Sequence, residues 1–197
     1  MTAVRTLADL TGTFATRRGV LLRDSLLVIA GSMLVAICAK IQAPTGPVPM
    51  TLQPFAVLLV AAALGSRRGA LAMLAYLAQG AVGLPVFALP PYSGLAYLFG
   101  PTAGFLLGFV PAAYVVGLLS ERGWDRRFLS AIAAMSIGQV IILAMGFFWL
   151  SIGQGTSQAF ATAVAPFLLG DVFKILLAAS ALPLVWRWVR DPQSSSR

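Results

Sequence analysis

Asp171 and Lys174 stand three residues apart in Pro166-Phe167-Leu168-Leu169-Gly170-Asp171-Val172-Phe173-Lys174, a stretch otherwise apolar. On a helix this spacing puts both side chains on one face. A carboxylate and an ammonium there offer an acceptor and a donor to a polar ligand; the same pair can equally neutralise itself and hold two helices together. Lys40, beside Gln42, is the only other lysine and sits at the end of a second apolar run. It suits either an anionic ligand group or a long side chain reaching out to a polar interface. Gln53, Tyr76 and Gln79 add neutral hydrogen-bonding groups, and Phe87, Tyr92, Tyr97 and Phe99 are suited to line an apolar pocket.

Other chemistries find no residues to carry them. The chain has no histidine and one cysteine, Cys38, so it lacks an imidazole base and cannot form a disulfide within itself. It carries no GxxxxGK[ST] phosphate loop and no carboxylate cluster for a metal. The expectation is a protein without catalysis, cofactor or metal, in which any nucleotide-driven step falls to another subunit. The net charge of +8 does not point to nucleic acid, because the arginines sit in short connections and tails rather than on one face. They are placed to meet the anionic headgroups of a lipid bilayer.

The elements that must position Asp171 and Lys174 follow from composition. Of 197 residues, 59% are hydrophobic and 10% charged, against about 25% charged in a soluble domain; the mean hydropathy is +0.89. A helix crossing a bilayer needs roughly 20 mainly apolar residues. Six segments approach this: Leu22–Ile41, Leu52–Leu64, Gly69–Val82, Pro101–Leu119, Phe128–Leu150 and Phe160–Trp188. Counted inward from Phe160, Lys174 lies about 21 Å along its helix. A charge that deep costs of order 2.5–3.5 kcal/mol, so neither member of the pair should face lipid.

All twelve arginines fall in alternate connections and the tails: Arg5, Arg17, Arg18 and Arg23; Arg67 and Arg68; Arg122, Arg126 and Arg127; Arg187, Arg190 and Arg197. The connections near Pro44–Pro49, Pro85–Gly100 and Ser151–Gln158 are uncharged. This alternation is the positive-inside pattern. It predicts an all-α, polytopic membrane protein of one domain: a cytoplasmic tail over 1–21, a six-helix bundle over 22–190 and a cytoplasmic tail over 191–197. The polar start of the chain does not read as a cleaved signal. Two outer connections, Ala43-Pro44-Thr45-Gly46-Pro47-Val48-Pro49 and Gly83 to Gly94, are too rich in proline to be helical. Apolar as they are, they are expected to fold over a cavity as lids. Gly100, Gly104 and Gly108 form a small-residue face that either packs inside the bundle or joins two copies of the chain.

Val48-Pro49-Met50-Thr51-Leu52-Gln53 resembles the VPxTLQ signature of the BioY family, the biotin-binding S components of energy-coupling factor (ECF) transporters. Four further stretches agree in order: Tyr76 to Gly80; Gly83-Leu84-Pro85-Val86-Phe87; Gly100-Pro101-Thr102-Ala103-Gly104-Phe105 with Gly108-Phe109; and the Pro-Phe…Gly-Asp-x-x-Lys of the last span. The resemblance implies a six-helix S-component bundle with an outward pocket for biotin. It implies that Asp171 meets the ureido ring, where a carboxylate accepts N–H groups in charge-assisted bonds, and that Lys174 joins it. Charge and position assign Lys40 to the ligand carboxylate, and the lid aromatics to the thioether ring and tail. The family's AxxxA docking pattern for the transmembrane coupling subunit finds its nearest form here in Ser32 and Ala36. ATPase subunits would then energise transport. The alternative is an autonomous carrier that uses Asp171 as a proton site.

Overall fold

A computed structural model describes residues 6–11, 16–43 and 48–190. Helix α1, Arg17–Ala39, starts where the Thr16 hydroxyl accepts a hydrogen bond from the Gly19 amide, at 3.2 Å. It thus begins at Arg17 rather than at the expected Leu22. The preceding Leu7–Thr11 turn packs against the bundle, with Thr6 and Ala8 buried. The chain continues through α2 (Gln53–Leu64), α3 (Ser66–Ala81), α4 (Ala103–Glu121), α5 (Phe128–Gln154), α6 (Thr156–Ala163) and α7 (Leu168–Arg190). Part of the first tail, with Arg5, all of the expected tail over 191–197, with Arg197, and the Pro44–Pro47 portion of the first outer connection lie outside the described residues.

Three helices, α1, α4 and α5, are individually long and apolar enough to cross a membrane, and the bent pair α6–α7 makes a fourth. Helix α2, with 12 residues, extends only about 18 Å. After Gln53 it is apolar, and it is largely buried among its neighbours. The outer surface matches lipid: Leu22, Leu26, Met33 and Ile37 of α1 and Leu169, Val172 and Phe173 of α7 are all exposed. The protein is a multi-pass helical membrane protein.

The sixth expected span is not one helix. α6 and α7 meet at 47° across the break at residues 164–167. Pro166 has no amide hydrogen, and its ring clashes with the carbonyl of the preceding turn, which disfavours a continuous helix here, although Pro111 and Pro183 are accommodated inside α4 and α7. Asp171 consequently lies in the first turn of α7, its amide bonded to Phe167 O at 2.8 Å.

Small residues set how closely the helices approach. A Cβ on Gly104 would meet Trp149 Cβ at 2.3 Å, and one on Gly108 would meet Met145 Cβ at 3.0 Å. The glycine face of α4 is therefore spent on α5 of the same chain. A single residue, Gly65 (φ +85°), joins α2 to α3. Beside it, Glu121 Oε1 accepts from the Ser66 amide at 2.7 Å and its hydroxyl at 2.8 Å, so α4 caps the start of α3.

The arginine-bearing ends converge as the charge alternation requires. Arg68 of α3 pairs with Asp24 of α1 at 3.1 Å and with Asp9 at 3.2 Å. Trp186 of α7 donates its indole hydrogen to Asp125 in the α4–α5 connection.

Candidate ligand-binding site

At the end of the bundle opposite the arginines, two connections close over the helices. The first forms a short antiparallel ladder, β1 (Gln42–Ala43) with β2 (Met50–Thr51), pairing Gln42 with Thr51 and Ala43 with Met50. The second, after α3, is pinned by the ring of Phe87. Phe87 is fully buried, stacks on Tyr97 with centroids 4.5 Å apart and meets Tyr76 edge-on at 5.7 Å. Its ring rests on Gly80, where an added Cβ would lie only 2.0 Å from a ring carbon. The glycine ending the Tyr76–Gly80 stretch is therefore what lets this connection lie down on α3.

Both connections wall a cavity. Val48, Pro49 and Thr51 of the first and Ala88 of the second face Phe105 and Phe109 of α4 and Ile142 of α5. The polar side chains on the wall are Gln53, Gln139 and Lys174, with the hydroxyls of Thr51, Tyr97 and Thr102. The expectation of lids over an apolar pocket is met by the parts of both connections that are described.

The polar centre of the site is built on α5 and α7. Lys174 Nζ lies 3.1 Å from Asp171 Oδ1, and Gln139 Nε2 donates to Asp171 Oδ2 at 2.6 Å. All three residues are buried, at 3% exposure for Asp171, 4% for Gln139 and 5% for Lys174. Each carboxylate oxygen thus has a side-chain donor, an arrangement that keeps a charge tolerable away from water. Lys174 and Gln139 reach the cavity wall; Asp171 stands behind them. Gly170 allows the approach of the first connection here, since a Cβ on it would sit 3.0 Å from the Met50 sulfur.

The other expected residues separate into three places. Gln53 is on the wall and donates to Tyr76 Oη at 2.8 Å, while the Tyr76 hydroxyl donates to Val86 O at 3.2 Å. Tyr76 therefore supports the wall from behind. Lys40 is not on the cavity lining but on the connection after α3, donating to Phe87 O at 2.7 Å with its ammonium 4.4 Å from the centre of the Tyr92 ring; Gln42 donates to Ala88 O at 3.2 Å. Gln79 is away from the cavity: its amide donates to the Ser32 hydroxyl at 2.9 Å, tying α3 to α1. Ser32 and Ala36 are buried, at 0% and 9% exposure, so this small-residue face of α1 is used within the chain. The exposed side of α1 presents Ile29, Met33 and Ile37 instead.

Gln139 was not among the expected residues. Its signal was present, as the lone amide in the apolar run of α5 before Gln154, and buried intramembrane polar groups warrant attention. A second cleft, at the arginine end, is lined by Asp24, Arg68, Leu71 and Glu121. Arg68, Asp24 and Glu121 are committed there to the ion pairs and helix cap described above.

The BioY family model matches residues 8–191. The chain belongs to the BioY family. It is 40% identical over 156 residues to the biotin transporter BioY of Thermotoga maritima, covering 78% of this chain and 90% of that protein. It is 42% identical over 168 residues to the biotin transporter BioY of Rhodobacter capsulatus, covering 78% and 87%. Among solved structures, the crystal structure of the S-component for biotin from an ECF-type ABC transporter superposes with a TM-score of 0.75 at 21% identity, over 88% of this chain and 95% of that one. That likeness establishes the fold. The BioY-like stretches, scattered in sequence, come together in space as the two connections, the α4 glycine face and the Asp171–Lys174 turn.

Proposed function

We propose that this protein binds biotin as the substrate-capturing S component of an ECF-type transporter, a membrane protein without catalysis of its own. The observation that carries this is the buried Gln139–Asp171–Lys174 cluster beside an apolar, lidded cavity, in a chain whose relatives are biotin transporters. Biotin divides in the same way, into a polar ureido ring and an apolar thioether ring and tail. In this reading the ureido ring enters between Lys174 and Gln139 to reach Asp171 behind them; Asp171 accepts a ureido N–H and Lys174 donates to the ureido carbonyl, each bond strengthened by a full charge. Gln53, with Tyr76 behind it, supports the polar wall, and Tyr97 and Phe105 enclose the apolar part. Lys40 has two ammonium hydrogens beyond the one given to Phe87 O, and they meet the ligand carboxylate beside Tyr92.

The chain is read as crossing the cytoplasmic membrane of a bacterium six times, by α1 to α5 and by α6–α7 together. Both termini are then cytoplasmic, because the arginine clusters share one end. The short α2 crosses inside the bundle, where neighbouring helices rather than lipid surround it. A transmembrane coupling subunit and ATPase subunits supply the energy, as the chain has no nucleotide motif. They dock on this protein through the α1 side of the bundle.

The test is equilibrium binding of labelled biotin to the purified chain in detergent, beside Asp171→Asn. Saturable binding without nucleotide is expected, weakened by the substitution by at least about tenfold, or 1.4 kcal/mol. A folded preparation that binds no biotin refutes the proposal.

A further inference from the structure

The bonding of Gln139 on the cavity wall is half complete. Its Nε2 faces Asp171, but its Oε1, also buried, has no hydrogen-bond partner among the described residues. Chemistry dictates this orientation. A carboxylate paired with an ammonium accepts hydrogen bonds only, so the NH2 must face Asp171 and the oxygen must point elsewhere. Buried polar side-chain atoms nearly always have a partner, and the place beside this one is the cavity.

We propose that Gln139 Oε1 accepts an N–H of the ligand, which makes Gln139 a specificity-determining residue. The inference rests on the biotin reading and assigns one atom within it: one ureido N–H goes to Gln139 Oε1 and the other to Asp171, with the carbonyl between them on Lys174. Asp171 then has a second task. An isolated glutamine could rotate its amide by half a turn and present a donor, but the carboxylate behind it forbids that. The wall discriminates against a ligand that offers an acceptor where biotin offers N–H.

The experiment measures the affinity of the purified full chain, wild type and Gln139→Met, for biotin and for two cyclic carbamates. In each carbamate a different ureido N–H is replaced by oxygen. Both carbamates are expected to bind the wild type more weakly than biotin does. In Gln139→Met, biotin affinity is expected to fall by about tenfold or more. One carbamate should then match biotin, because the acceptor it failed to satisfy is gone, while the other keeps its full penalty. Equal losses for all three ligands, or unchanged biotin affinity, would overturn the assignment and leave the biotin reading intact. Loss of biotin binding by the wild type would overturn both. Gln139→Asn, which withdraws the oxygen but keeps an amide, should reproduce the pattern; it serves where Gln139→Met does not fold.

Discussion

Two aspartates are buried among the described residues, Asp125 at 0% and Asp171 at 3% exposure, and they do opposite work. Asp125 sits in the Trp124–Arg126 turn between α4 and α5 at the arginine end. It receives the indole hydrogen of Trp186, and the Arg126 guanidinium lies 4.7 Å from the centre of that same indole ring. The cluster ties the α4–α5 connection to the far end of α7. Asp171 is also met by donors from two helices, but its partners turn unfilled hydrogen-bonding capacity toward a cavity. A buried acid is therefore not in itself a sign of a ligand site. What distinguishes the two is what the groups around the carboxylate face: Gln139 and Lys174 line a cavity, whereas Asp125, Arg126 and Trp186 line neither of the two clefts described.

The comparison can be broken most forcefully at Lys174. Lys174→Met strands a buried carboxylate, and unfolding in detergent should show a loss of about 3–5 kcal/mol. Adding Asp171→Asn should restore most of that stability while biotin binding stays lost; a stable double variant that binds like wild type would reduce the pair to helix glue. Asp125→Asn keeps the shape and an oxygen for Trp186 but removes the charge. It should cost roughly 1–2 kcal/mol of stability and leave the biotin affinity of the folded protein within about twofold. A drop like that of Asp171→Asn would erase the distinction. The smallest effect is expected from Lys40→Met, which removes the bond to Phe87 O. Labelled biotin should dissociate several-fold faster, equivalent to about 1 kcal/mol, with little change in unfolding temperature.

How much was legible beforehand depended on whether a feature belongs to one element or to two. The arginine alternation predicts which ends meet, and the Arg68–Asp24 pair joins two of them. Hydropathy finds six apolar segments but runs the last one through Pro166, because apolarity says nothing about a missing amide hydrogen. Asp171 and Lys174 can be found from their spacing. Gln139 belongs to the same cluster only through the register of α5 against α7, which no local pattern encodes. Gln79 and Ser32 are each visible as polar residues in apolar helices, but their mutual bond depends on how α3 faces α1. Lys40 shows the same limit differently, since its partner is a main-chain carbonyl, which leaves no trace in the residue types.

That last bond is one of a set. Lys40 holds Phe87 O, Gln42 holds Ala88 O and the Tyr76 hydroxyl holds Val86 O. These three side chains fasten the connection after α3 by its backbone, and only at Phe87, whose ring is itself buried against Tyr76 and Tyr97, does the side chain of the held residue pin the connection as well. Such a fastening tolerates drift in the segment it fastens. Between Ala88 and Ser93, Tyr92 apart because its ring meets the Lys40 ammonium, the residues can change over generations, or in a deliberate library, while the closure persists. This stretch is where new ligand preferences can be explored without rebuilding the scaffold beneath.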